Sequence, residues 1–181
     1  KLLSKQNQTA AAKTVLVDML NYGAEAQKYF NYNTEDLANS LLTAEQKALA
    51  TESVTCTNKQ VKGKNFYGTN LTLGDRILLN MAFKNCAEGY TAKVIFTNYR
   101  GVVKTVEKEL IPVSGSIYKV TVDDIVLADA FSPVTVTVYD ADGNVHGTAT
   151  DSVESYNARS SASALNEAIM KFAYSAREYL S

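Results

Sequence analysis

The hydrophobic period changes twice along this chain, and that double change limits the architectures open to it. From Thr9 to Phe30 the apolar residues Val15, Leu16, Met19, Leu20, Tyr22, Gly23, Ala26, Tyr29 and Phe30 recur at three and four, the spacing of one apolar face of an α-helix. Thr9 suits the N-cap, because its hydroxyl can accept from an otherwise orphan backbone N–H. Residues 31–33 break the pattern, Thr34 can cap a short turn through Leu37, and Thr43 with Gln46 forms a capping box before Ala48. The first fifty residues therefore read as helical.

After Glu52 the period falls to two. Ile77, Leu79, Met81 and Phe83 face one way while Leu78, Asn80, Ala82 and Lys84 face the other, and Val134, Val136 and Val138 alternate with Thr135, Thr137 and Tyr139. Further strands are expected over 54–60, 66–73, 92–97, 102–110, 118–122 and 145–150, punctuated by Gly, Asn, Asp and Ser. The turns at 98–101 and 140–144 supply residues that tolerate positive φ, as tight antiparallel hairpins require. With no crossover helices inside this region, the sheet is expected to be antiparallel.

At Asp151 the pattern turns helical again, with Asp151 and Glu154 as a cap pair and Leu165, Ala168, Ile169, Phe172, Ala173, Ala176 and Leu180 as the final stripe. The expected fold class is α+β: an antiparallel, immunoglobulin-like β-sandwich flanked by N-terminal helices and a C-terminal helix. Its organisation reads as a helical segment over 1–51, a β-sandwich module over 52–151 and a C-terminal helical segment over 152–181. Laid over one another at an offset of 150, the two terminal helices pair Tyr22 with Phe172, Gly23 with Ala173, Ala26 with Ala176 and Tyr29 with Tyr179. That likeness reads as a repeat, with Tyr22, Tyr29 and Tyr179 in the core or against a neighbouring module.

Charge excludes one class of partner. Eighteen Lys and Arg stand against nineteen Asp and Glu, a net charge of −1, and no basic run tracks a phosphate backbone, so nucleic acid is not an expected partner. No apolar run approaches the roughly 20 residues of a membrane span, so no membrane insertion is expected. The chain opens at Lys1 without a charged region followed by an apolar one, which places any export signal upstream. Cys56 and Cys86 match neither a CxxC pair nor a zinc ligand set. They could form a disulfide closing a loop of about 30 residues, worth roughly 3–4 kcal/mol, or remain buried free thiols.

Catalytic chemistry finds little purchase. His146 is the one histidine, placed beside a hairpin turn where a triad would need a nucleophile and an orienting acid. Asp123 and Asp124 are neighbours whose side chains, on a strand, point to opposite faces, so they read as caps of the turn from Ile125 to Ala130. Residues 140–144 alternate oxygen donors, but Gly143 stands fourth where a calcium loop needs its glycine sixth. Gly68, Gly74 and Gly101 are isolated and precede no helix, unlike a phosphate loop. No catalytic residue, metal ligand or cofactor is assigned. Binding needs only exposed anchors, and these are aromatic: Tyr67, Tyr90, Tyr99 and Tyr118 on strands or loops, with Arg100 beside Tyr99 at a hairpin tip. A tyrosine folded back onto its own sheet is the competing reading of that tip.

The run Leu20-Asn21-Tyr22-Gly23-Ala24-Glu25-Ala26-Gln27-Lys28-Tyr29-Phe30, continuing Asn31-Tyr32-Asn33-Thr34-Glu35-Asp36-Leu37-Ala38-Asn39, resembles a segment of large multi-domain surface proteins of gut-dwelling Gram-positive anaerobes. In those proteins it precedes a β-rich module, which the stretch from Phe66 through the Asp140 to Gly147 hairpin resembles. Asn31 stands where the usual residue is Gly, which alters the turn. The resemblance implies an exported, cell-surface or secreted protein of repeated modules without a common enzymatic activity. Together these readings point to a non-catalytic structural and interaction module partnered by adjacent modules of the same polypeptide. The alternative is an adhesin-like binding module for a host protein such as immunoglobulin or mucin, or for a polysaccharide.

Overall fold

The computed structural model describes residues 9–74, 76–161 and 163–181. Among them are nine strands in two antiparallel sheets and four α-helices, an α+β chain. The helices are α1 (Ala10–Tyr29), α2 (Ala44–Lys47), α3 (Val153–Arg159) and α4 (Ala164–Leu180). Two compact units result: Lys1–Thr55 with Ser161–Ser181, and Cys56–Ser160.

In the helical unit the expected caps form. Thr9 Oγ1 accepts from Ala12 N, and Thr43 and Gln46 bond each other's backbone reciprocally. The chain after α1 runs back along it as turns fastened by polar side chains. Gln27 donates to the carbonyls of Asn33 and Asp36 and accepts from Ala38 N. The buried Asp18 carboxylate accepts from both the backbone N–H and the hydroxyl of Thr51. Helix α1 packs on α4, where Tyr22 and Phe172, the pair matched at offset 150, lie 6.0 Å apart between ring centroids. Tyr29 and Tyr179, expected in the core or against a neighbouring module, are 68% and 52% exposed on this chain.

The second unit is built from β1 (Val61–Lys62), β2 (Phe66–Leu73), β3 (Ile77–Phe83), β4 (Thr91–Thr97), β5 (Val103–Glu109), β6 (Ile111–Ser114), β7 (Ile117–Val122), β8 (Val134–Tyr139) and β9 (Val145–Asp151), with α3 following. The strand order is β1-β9-β8-β4-β5 in one sheet and β2-β3-β7-β6 in the other. Alternation decides which face goes in: Leu79, Met81, Phe83, Val94, Val120, Val122, Val134, Val136 and Val138 are all buried. Gly101 (φ 76°) and Gly143 (φ 82°) take the left-handed conformation that closes the two expected hairpins.

Three readings differ here for identifiable reasons. The segment 54–60 forms no strand, because its N–H groups bond side chains: Thr57 N donates to Glu154 Oε1 and Lys59 N to Ser155 Oγ. Strand β6, absent from the expected strands, contains Pro112 and lies at a sheet edge where the missing N–H costs no ladder bond. Asp151 does not cap α3. Ser152 does, accepting from Ser155 N at 3.0 Å, while Asp151 closes β9 and holds Arg159.

Cys56 and Cys86, left open between a disulfide and free thiols, are free. Cys86 follows β3, with Sγ toward the carbonyls of Phe83 and Lys84, the latter bonded by His146 at the start of β9. Cys56 lies by Glu154, past the other end of β9. A seven-residue strand spans about 20 Å, far beyond the Cα separation of about 4.4–6.8 Å that a disulfide tolerates.

Candidate binding surface

The sequence-selected tyrosines do not form one site. Tyr99 and Arg100 occupy the β4–β5 turn, which Asn98 organises by accepting from the N–H groups of Arg100 and Val102. Tyr99 is half-buried, its N–H donates to Asp129 Oδ1 at 2.6 Å, and the exposed Arg100 guanidinium lies 5.2 Å from its ring centre. The tip is therefore tied down by its own unit. Tyr90 sits at the opposite end of β4, edge-on to the His146 ring at 5.0 Å. Tyr118 pairs with Phe83 across β7 and β3 and so points to the inner face. Tyr67 is 64% exposed at a bulge in β2 and lines a hollow of about 230 Å³ with Gln60, Phe66, Tyr156 and Arg159.

Beneath that hollow lies the densest polar cluster of the unit. The Asp151 carboxylate, 1% exposed, accepts from Gln60 Nε2 (2.7 Å), Thr69 Oγ1 (2.5 Å) and both terminal nitrogens of Arg159 (3.1 and 2.6 Å). Arg159 also donates to Asn58 Oδ1 and to the carbonyl and hydroxyl of Ser155. Every oxygen involved already has a donor, so the cluster fastens α3 and the 57–60 segment to the sheets. Glu154 accepts from Thr57 N and Lys59 Nζ, and Asp129 from the N–H groups of Tyr99 and Val126.

The other acids are also engaged. Asp123 and Asp124, expected to diverge as strand neighbours, leave the ladder after β7 and both reach Lys108 Nζ, at 2.5 and 2.6 Å. Hydrogen bonds to the carboxylates hold the Lys108 ammonium above its usual range, and the bond from Lys108 holds Asp123 below the usual carboxylate range. A charged residue anchored in this way also blunts the open β5 edge against pairing with another strand. Asp140 accepts from the N–H groups of Asp142 and Asn144, the internal bonding of a hairpin turn. Burial raises the thiols of Cys56 and Cys86, with Glu154 adding to the effect at Cys56.

What remains free is the outer face of the five-stranded sheet. Cross-strand partners share a face, and since Val94, Val136 and Val138 point inward, their neighbours point out. One outward row runs Thr105–Ile95–Thr135–Thr150–Val61 across all five strands, a second Glu107–Lys93–Thr137–Thr148, and a third Glu109–Thr91–Tyr139–Val145. In the middle of the face the threonines bond one another, Thr135 with Thr150 at 2.8 Å and Thr148 with Thr137 at 3.3 Å. Toward β5, Thr91, Ala92, Lys93, Glu107, Lys108, Glu109 and Tyr139 line a hollow of about 600 Å³.

No family model, curated protein or solved structure matches the chain.

Tyr139, which lines this hollow, is not among the tyrosines selected from the sequence. Tyr139 was visible as an outward residue of β8, but its alignment with Thr91 and Glu109 depends on the register of three strands, which a single sequence does not carry.

Proposed function

We propose that the chain is a non-catalytic structural and interaction module of a bacterial cell-surface or secreted protein, and that its strand-built unit is an immunoglobulin-like sandwich. The fold proposal rests on strand order. Named A to G, an immunoglobulin variable-type domain has A-B-E-D on one sheet and G-F-C followed by C′ on the other. Assigning β2 to A and β3 to B, then β4 and β5 to C and C′, and β6 to β9 to D, E, F and G, gives that order, with β1 added beside β9.

The observation that carries the functional reading concerns buried charge. Among the described residues the buried acids are Asp18, Asp129, Asp151 and Glu154. Each bonds backbone N–H groups or hydroxyls, or a cation of the same chain. A general acid or base instead keeps an oxygen within hydrogen-bond reach of a substrate. The distinction is measurable, because removing a functional acid commonly raises stability whereas removing a structural one lowers it. Asp129→Asn, Asp151→Asn and Glu154→Gln should each lower the urea midpoint. A variant among them that is more stable than the parent would count against a purely structural role for that acid.

The adhesin-like alternative, binding of a host protein or a polysaccharide, draws its support from the open outer face with its exposed Val61, Val103 and Val145. Both readings place function on a surface.

A further inference from the structure

Resting on the interaction-module reading, we infer that the hollow at the β5 side of the five-stranded sheet is a carbohydrate site, which takes a short neutral oligosaccharide across Thr91, Lys93, Glu107, Glu109 and Tyr139. Its volume of about 600 Å³ falls within the range of small-molecule sites, about 300–1,000 Å³. The chemistry of the lining decides the class of ligand. Tyr139 offers an amphipathic ring, apolar on its face and polar at its tip, suited to the C–H side of a pyranose. Glu107 and Glu109 can accept from sugar hydroxyls in charge-assisted hydrogen bonds, while Lys93 and Thr91 can donate.

Two features separate this hollow from the rest of the molecule. Glu107 and Lys93 stand directly opposite one another yet form no ion pair, and among the described residues neither they nor Glu109 make a side-chain hydrogen bond. By contrast, the threonines at the centre of the same face bond each other, and Lys108, which also lines the hollow, is held by Asp123 and Asp124. The hollow therefore keeps both donors and acceptors unengaged beside an aromatic ring. Counting Glu107, Glu109, Asp123 and Asp124 against Lys93 and Lys108, the charge in and beside the hollow is negative, which disfavours sialylated or uronic glycans and favours neutral ones. The hollow opens at the β5 edge of the sheet, so an internal stretch of a longer polysaccharide can cross it as well as a free trisaccharide.

The test uses the whole chain, labelled for two-dimensional NMR and titrated separately with cellotriose, maltotriose, xylotriose, chitotriose and 3′-sialyllactose. At least one neutral trisaccharide should produce saturable shifts at the amides of Thr91, Lys93, Glu107, Glu109 and Tyr139, with the sialylated sugar weaker. Tyr139→Ala and the exposed double substitution Glu107→Gln with Glu109→Gln should each weaken binding about tenfold or more. Tyr139→Phe, which keeps the ring and guards against a folding artefact, should retain most of it. Absence of shifts with all four neutral sugars, shifts confined to another surface, or undiminished binding by both Tyr139→Ala and the double variant would overturn the site. Release of shorter sugars in the same samples would overturn the non-catalytic reading instead and leave the site standing, so the two failures are distinguishable.

Discussion

Replacing Asp151 or Arg159 by alanine probes the polar cluster that fastens α3 to the sheets, and the structure sets the order of the effects. Asp151 is 1% exposed and accepts from four side-chain nitrogen and oxygen donors. Arg159→Ala leaves its carboxylate buried with only Gln60, Thr69 and the Ser152 N–H. Losing one partner of a buried pair costs about 3–5 kcal/mol, and a urea m-value of about 2 kcal/mol/M then moves the midpoint down by roughly 2 M. Asp151→Ala should cost less, since the Arg159 side chain is 23% exposed and can turn toward water. The double variant should cost less than the two single losses combined, by a coupling of about 1–3 kcal/mol. Chemical denaturation followed by amide exchange on β9 reads all three. Additive losses, or an Arg159→Ala midpoint within error of the parent, would refute the claim that this pair is a structural tie.

Phe83 is fully buried with its ring 5.7 Å from that of Phe66, so Phe83→Ala should lose about 3–5 kcal/mol of stability, read from the same denaturation curves. Gly147→Ala would place a Cβ 3.2 Å from the Phe83 ring and on the backbone oxygen of Lys64; a loss of about 1–3 kcal/mol is expected, and an unchanged melting temperature would contradict the packing. Native alkylation monitored by mass spectrometry should find both cysteines reduced and slow to react at neutral pH, because burial raises both thiols. The Asp123–Lys108 pair has a defined pH signature. Asp123 lies below its unfolded value, so its contribution is full above pH 3.8 and is lost as the pH falls through its lower folded value. Lys108 lies above its own, so its contribution is full below pH 10.5 and is lost on further alkalisation. Partial exposure keeps the effect under about 1 kcal/mol, and Lys108→Ala should flatten both limbs of a stability–pH curve.

How much of this was legible in the sequence depends on the range of the interaction. Thr9 and the Thr43–Gln46 box act within three residues and were readable as caps. Strand β2 was expected over the residues it occupies, and the 98–101 and 140–144 turns follow from Asn, Asp and Gly at fixed offsets. Errors arose where a distant partner outbid a local one. Asp151 looks like a helix cap until Arg159, Gln60 and Thr69 converge on it, leaving Ser152 to cap. Asp123 and Asp124 look divergent until the chain leaves the ladder and Lys108 draws both together. Residues 54–60 have strand-like composition, but Glu154 and Ser155, nearly a hundred positions away, take their N–H groups. The outer-face hollow was the least legible, since it depends on the register among β5, β4 and β8.

The central claim, that function here is surface recognition without bond-breaking, is tested most directly by incubating the purified chain with mucin, plain polysaccharides and unstructured peptides and following new reducing ends and free amines over time. A non-catalytic module gives a baseline indistinguishable from buffer at every protein concentration. Product that rises in proportion to the chain and vanishes on substitution of His146 or one of the buried acids would contradict it.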